Sequence, residues 1–163
     1  MTDVVIRPFR PSDLEAAFEM DQRCFDRDIA YTRGQLRAFV SGAGSVGLVA
    51  EEGQRLAGFA IGNASGSRGH VVTIDIGPAD RRRGVGRRLL DELLRRLAEA
   101  GAREVRLEVD LGNGAAVRFY ERAGFSGVRT LPAYYGPGRD GLRMTRKLDR
   151  IRSGSTKGSS SSR

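Results

Sequence analysis

The chain has one cysteine, one histidine and no tryptophan in 163 residues. A lone Cys24 forms no internal disulfide and no thiolate-rich metal site. With His70 as the single imidazole, a zinc centre lacks its usual ligands, so no metal is expected. No stretch approaches 18 uncharged apolar residues, which argues against a transmembrane helix. The first residues are acidic and β-branched, unlike a secretory signal, and a reducing, cytoplasmic location is the expectation. Aromatic residues make up 7% and are not interleaved with the arginines, which disfavours stacking on single-stranded nucleic acid. The length suits one domain.

Positive charge is abundant: the formal net charge is +8. It is unevenly spread. Residues 143–163 carry seven basic side chains and one acidic one, and residues 81–88 carry five arginines and no acid. The remainder has 16 basic and 19 acidic residues and is slightly acidic. The segment 152–163 is Ser/Gly-rich, basic and without an apolar residue, and is expected to be a disordered tail after a domain spanning 1–151. It serves either as a solvated extension or as a basic arm for RNA or a ribosomal surface.

Hydrophobic patterning yields the order β-α-α-β-β-β-α-β-α-β-β. Val4 to Arg7 reads as a strand. Ser12 with Glu15, and Thr32 with Gln35, are spaced as capping boxes opening two helices. Gly47–Glu51 and Leu56–Asn63 flank a turn as a hairpin, and Val71–Ile76 is a further β-branched run. Leu89, Leu90, Leu93, Leu94 and Leu97 mark one face of a long helix stopped at Gly101. Val105, Leu107 and Val109 alternate with charged residues as in a strand. A helix over Asn113–Ala123 and strands at Phe125–Leu131 and Leu142–Leu148 complete the pattern. Strand–helix–strand crossovers at 71–109 and 104–131 imply some parallel pairing, and the hairpins imply antiparallel pairing. The expected fold is α/β, with a mixed, mostly antiparallel sheet of six to seven strands and helices on both faces.

The sharpest local signal is Arg81-Arg82-Arg83-Gly84-Val85-Gly86-Arg87, between a strand and an amphipathic helix. A helix start exposes unpaired N–H groups at the positive end of its dipole, glycine admits a phosphate close to the backbone, and arginine adds charge. A pyrophosphate ligand follows. The Walker pattern is absent because Gly86 precedes Arg87-Arg88, and Leu89 stands where the dinucleotide fingerprint needs its third glycine. The alternative is a solvated, arginine-rich helix start.

At this loop the sequence resembles the GNAT superfamily of acetyl-CoA-dependent N-acetyltransferases, whose Q/R-x-x-G-x-G/A signature is matched by Arg81, Gly84 and Gly86. The resemblance continues through LEVDLGNGAAVRFYERAGF, residues 107–125, and is nearest to the RimI-like enzymes that acetylate protein N-termini, notably that of a ribosomal protein. It implies acetyl-CoA as cosubstrate. It also implies that the backbone of Ile74, Asp75 and Ile76 faces the pantetheine arm and thioester. Arg82, Arg83, Gly84, Val85, Gly86 and Arg87 would cradle the pyrophosphate through their N–H groups, and Asn113 would contact the cofactor. Glu108 matches the general base and Tyr120 the general acid. Those types suit the chemistry: an ammonium must lose a proton before it attacks a thioester, and the departing thiolate must gain one.

Each position also has a plain structural reading. Glu108 can be the polar face of a strand, Tyr120 core packing, Asn113 an N-cap, Cys24 a small buried hydrophobe and His70 a surface residue. Tyr134-Tyr135, before the last strand, resembles an aromatic wall for a peptide slot, or else covers the sheet edge. Asp26, Asp28 and Asp140 are candidates to attract a cationic amine. The segment FDRDIAYTRGQL departs from the proline-tryptophan pair usual in the RimI-like branch, where the acceptor slot is shaped. Three functions follow in order: N-terminal protein acetyltransferase acting by direct transfer in a ternary complex, small-amine acetyltransferase, and basic nucleic-acid-binding module. The first has a protein N-terminus, including that of a ribosomal protein, as its partner.

Overall fold

The computed structural model describes residues 3–149; the expected tail at 152–163 lies outside them. The chain forms β1 (Val4–Pro8), α1 (Leu14–Cys24), α2 (Arg33–Ser41), β2 (Ser45–Glu52), β3 (Arg55–Ser65), β4 (Arg68–Ile76), α3 (Val85–Glu99), β5 (Glu104–Asp110), α4 (Gly114–Arg122), β6 (Ser126–Leu131) and β7 (Gly141–Lys147), with short 3-10 turns at Pro11–Asp13 and Pro78–Asp80. This is the order read from the sequence.

One capping expectation fails and one holds. Thr32 and Gln35 form the reciprocal box that starts α2. Ser12 and Glu15 do not start α1: the chain enters through a 3-10 turn, and Asp13 reaches back to the Arg10 N–H at 2.7 Å. Arg7 grips the same carboxylate with two bonds of 2.8 Å. Glu15 instead pairs with Arg33 across the two helices. A buried Asp13 beside an arginine outcompetes a hydroxyl as the first-turn acceptor.

The strands join in one seven-stranded sheet, ordered β1-β2-β3-β4-β5-β7-β6. Five pairings are antiparallel, and β4–β5 is parallel. The second crossover does not produce a parallel pair. β7 inserts between β5 and β6 and pairs antiparallel with both, so β5 and β6 run the same way without touching.

Alternation along β2 and β3 sorts their side chains to opposite faces. Leu48, Ala50 and Ala60 join the buried leucines of α3 on one face. Val49, Phe59 and Ile61 meet Ala17 and Met20 of α1 and Leu36 of α2 on the other. Each leucine of the α3 stripe is at most 5% exposed, and burial of one such side chain stabilises by roughly 1.5–3 kcal/mol.

Two features of β4 build the site. A bulge at Val72 shifts its register against β3 between Ile61 and Gly62, which reverses the alternation downstream. Val71, Ile74 and Ile76 pack toward α3, whereas Val72 joins the α1–α2 cluster. The parallel pairing with β5 covers only Arg68–His70 against Glu104–Arg106. Beyond that the two strands part, and a cleft opens between the C-terminal half of β4 and residues 107–110 of β5.

Candidate active site

The wall of the cleft on β4 is backbone. Gly77 N–H donates to Ala57 O at 2.9 Å, and Phe59 stands opposite Asp75. Alternation then directs the N–H and C=O groups of Ile74 and Ile76 away from β3, toward the cleft. Ile76 O there accepts from Cys24 Sγ at 3.4 Å and from Arg81 Nε at 3.3 Å. Cys24 is thus a half-buried thiol with a hydrogen bond. Of the three β4 residues expected to face a cofactor, Asp75 differs: its backbone is turned to β3, and its side chain is buried under α1.

At that position Asp75 meets Asp21, both at most 1% exposed. Asp75 Oδ1 accepts from Thr73 Oγ1 at 2.6 Å, and Asp21 Oδ2 accepts from Tyr31 N–H at 2.7 Å. The other two oxygens, Asp21 Oδ1 and Asp75 Oδ2, have no partner other than each other's carboxyl. Burial first, and then the neighbouring Asp21, raises the Asp75 pKa well above the carboxylate range. Asp75 therefore holds the proton that joins the two groups.

At one end of the cleft, the glycine-arginine loop enters α3 through Gly84 at φ +80° and Arg82 at φ +65°. The first helical bond runs from Arg88 N–H to Gly84 O, which leaves the amides of Val85, Gly86 and Arg87 without intrahelical acceptors. A Cβ on Gly84 would meet nothing within 4 Å, and Gly86 lies against Ile76 and Phe119. The loop fits a diphosphate: free amides, the positive end of a 15-residue helix and open backbone. Its arginine side chains divide. Arg83 pairs with Asp80 at 2.7 Å and with Glu52 at 3.1 Å, and Arg55 holds the other side of Asp80. Arg87 pairs with Asp91 along the helix. Two of the five charges thus brace the loop, and Arg82 has no partner among the described residues.

Across the cleft, α4 begins at Asn113, whose Oδ1 accepts from Ala116 N–H at 3.1 Å, so the capping reading of Asn113 is the one observed. Tyr120 on α4 packs edge-on against Phe119 and Phe125. Burial raises its pKa and keeps the phenol protonated.

Glu108 on β5 has a side chain 7% exposed and three basic partners. Oε1 meets His70 Nε2 at 2.8 Å, and Oε2 accepts from Arg143 Nε at 3.0 Å and Arg106 Nε at 3.3 Å. Burial pushes its pKa up, but His70, then Arg143 and Arg106, outweigh it and hold the carboxyl at about 2. His70 is not a solvated surface residue; it bridges Glu108 and an adjoining cavity of about 620 Å³. The sequence alone carries no sign of this contact, because 38 residues separate the two.

That cavity is lined by Tyr31, Phe39, His70, Val72, Arg106 and Tyr134, among others. Tyr134 lies edge-on to Tyr135 at 4.9 Å, and Tyr31 packs in the same way on Phe39. Tyr31, not singled out from the sequence, comes from the divergent FDRDIAYTRGQL segment. Burial pushes its pKa up to about 12. Arg139 ties the rim together, binding Asp26 at 3.0 Å and Asp110 at 2.8 Å. Asp26 is thus paired rather than free for an amine. Asp140 also has a structural use: its Oδ1 accepts from Ala133 N–H.

The cleft thus combines a splayed parallel pair, cleft-facing strand amides and a helix start suited to an anion on one rim. The chain belongs to the acetyltransferase (GNAT) family, whose model matches residues 11–125, and it is an acetyl-CoA-dependent N-acetyltransferase. An uncharacterised N-acetyltransferase of Methanocaldococcus jannaschii is 30% identical over 145 residues, 88% of this chain and 92% of that one. The ribosomal protein bS18-alanine N-acetyltransferase of Escherichia coli K12 is 30% identical over 138 residues, 83% of this chain and 89% of that one. The crystal structure of Arabidopsis thaliana NAA60 in complex with acetyl-CoA has the same fold, with a TM-score of 0.79 and 23% identity over 90% of this chain and 99% of that one.

Proposed function

We propose that this enzyme acetylates the N-terminal α-amino group of a protein, by direct transfer from acetyl-CoA within a ternary complex. The observation that carries the reading is the aromatic-walled cavity beside the Glu108–His70 pair. The likeness to a ribosomal protein-alanine N-acetyltransferase supports it, and a cytoplasmic location accords with it. A ribosomal protein is one acceptor of this class.

In this reading acetyl-CoA supplies the acetyl group and the coenzyme leaving group. The amides of Val85, Gly86 and Arg87 hold its diphosphate, the Ile74 and Ile76 backbone lines its arm, and Asn113 Nδ2 is free to contact it. Tyr134 and Tyr135, with Tyr31, wall the acceptor. The Ile76 N–H stabilises the oxyanion. Glu108 receives the proton of the attacking ammonium. Because three basic groups hold Glu108 ionised, a direct transfer to it is weakly driven, and His70 on its Oε1 is placed to pass the proton. Tyr120, kept protonated by burial, donates to the departing thiolate.

The test is a library of peptides with varied N-termini, incubated with acetyl-CoA and read by mass spectrometry beside a panel of small amines. Acetylation of peptide α-amines is expected. Acetylation of the amines with none of the peptides would refute the reading and favour a small-molecule enzyme.

A further inference from the structure

The contacts of α1 and α2 fall on β2, β3 and β4. The same face of the sheet continues over β5, β7 and β6, where residues 126–130 are all exposed. Register fixes what this continuation displays. Cross-strand partners share a face, and Glu104 stands opposite Lys147, Glu108 opposite Arg143 and Arg143 opposite Arg129. Arg106 joins them through Glu108. Arg68, at the start of β4, and Arg106 both line the cavity beside His70 and Tyr134. The cavity and this face are therefore one continuous surface.

Its charge is lopsided. Arg68, Arg106, Arg129, Arg143 and Lys147 face three carboxylates, Glu104, Glu108 and Asp110, the last already paired with Arg139. Glu108 is already held by two of those arginines and His70. Arg68, Arg129 and Lys147 are exposed and have no ion-pair partner among the described residues. The cavity lining itself includes no carboxylate. A surface of this kind repels a polycationic acceptor and attracts carboxylates.

We propose that this face is the track for the acceptor residues that follow the acetylated amine, and that it selects acidic side chains there. The inference rests on the N-terminal reading above and specifies the acceptor class: a protein whose first residue is followed by Asp or Glu. Such a segment leaves the cavity past Arg68 and Arg106 and crosses β7 toward β6, its carboxylates meeting Arg129 and Lys147. Exposed pairs are individually weak, so two acidic residues should together raise kcat/KM by roughly tenfold over neutral ones at low salt.

The experiment compares three peptides with the same first residue, followed by two Glu, two Gln or two Lys, with coenzyme A release as readout. The expected order is Glu above Gln above Lys, with the Glu-to-Gln ratio shrinking as salt rises. In the triple variant Arg68→Gln, Arg129→Gln, Lys147→Gln that ratio falls toward one. All three side chains are exposed, and the peptide series tests the proposal in the wild-type enzyme even where the variant folds poorly. Equal rates for the Glu and Gln peptides, or a preference for Lys, would overturn the proposal while leaving N-terminal acetylation standing. Acetylation of none of the three, with small amines acetylated, overturns the N-terminal reading and this proposal together. If single-stranded RNA binds wild type but not the triple variant, and the peptide ratio is the same in both, the face belongs to nucleic acid and the proposal fails.

Discussion

Glu108 shows how little a residue's type says about its proton affinity. A buried carboxylate is ordinarily a better base than an exposed one, because desolvation favours its neutral form. Here His70, Arg143 and Arg106 reverse that tendency and hold it at about 2. Glu108 therefore stays ionised throughout the working range, and an acid limb of kcat/KM near neutrality belongs to another group. If His70 passes the proton, His70→Gln and Glu108→Gln both lower kcat by roughly 10²–10⁴-fold, the usual scale of acid–base catalysis. If Glu108 acts without it, His70→Gln keeps most of the rate. The kcat values of the two variants, with acetyl-CoA affinity measured in parallel, separate these outcomes. The candidate roles of Glu108 and Tyr120 came from a resemblance carried by the run 107–125. The contact of His70 with Glu108 is illegible there, because a strand pairing, not a local motif, sets the two together.

At the level of the element, the loop before α3 illustrates division of labour among like residues. Five arginines in eight positions suggest a charge cloud for phosphate, yet Arg83 and Arg87 are committed to Asp80, Glu52 and Asp91. They fix the loop so that its amides are presented in one geometry, which costs no ordering on binding. The amides then carry the recognition. A Cβ at Gly86 would lie 3.5 Å from Ile76 and 3.6 Å from Phe119, ordinary contacts. Gly86→Ala should therefore fold as well as wild type, and alanine is the better helix former. It should nevertheless bind acetyl-CoA about tenfold more weakly, because an added methyl group hinders the close backbone approach that glycine allows a ligand. Thermal unfolding checks both parts: an unchanged or raised Tm alone, and a smaller rise at a fixed acetyl-CoA concentration. An equal rise in both proteins would place the diphosphate elsewhere. The loop's proposed chemistry is legible in the sequence because glycine spacing is local. The Ser12–Glu15 box misled because Arg7, from the preceding strand, competes for the same turn through Asp13.

For the molecule as a whole, the buried Asp21–Asp75 pair joins the α1–α2 layer to the strand that forms the cleft. Asp75 has its pKa raised on folding. Its contribution to stability is therefore complete at pH below about 4, its unfolded value, and is lost as pH rises toward the folded value. Asp75→Asn supplies a permanent donor to Asp21 in place of the shared proton. Wild type should lose Tm with rising pH relative to Asp75→Asn, and the variant should match or exceed it at pH 8–9. Parallel Tm curves from pH 5 to 9 would show that no proton is shared there. The opening net charge of +8 also changes meaning at this scale. Arg68, Arg106 and Arg129, from the slightly acidic remainder of the sequence, fold onto one face with Arg143 and Lys147 of the basic C-terminal segment.

Strand and helix order was determined by the sequence alone, because hydrophobic period, glycine stops and caps are local. So was the loop proposed to hold the diphosphate, whose glycines and arginines are contiguous. Only the tertiary structure decided three other things. It inserts β7 between β5 and β6, a choice made by long-range pairing. It opens the cleft, which depends on β4 and β5 parting after three paired residues, just before a one-residue bulge in β4. And it brings His70, Glu108 and Arg143 together from three strands, since the distance that matters there is across the sheet and not along the chain.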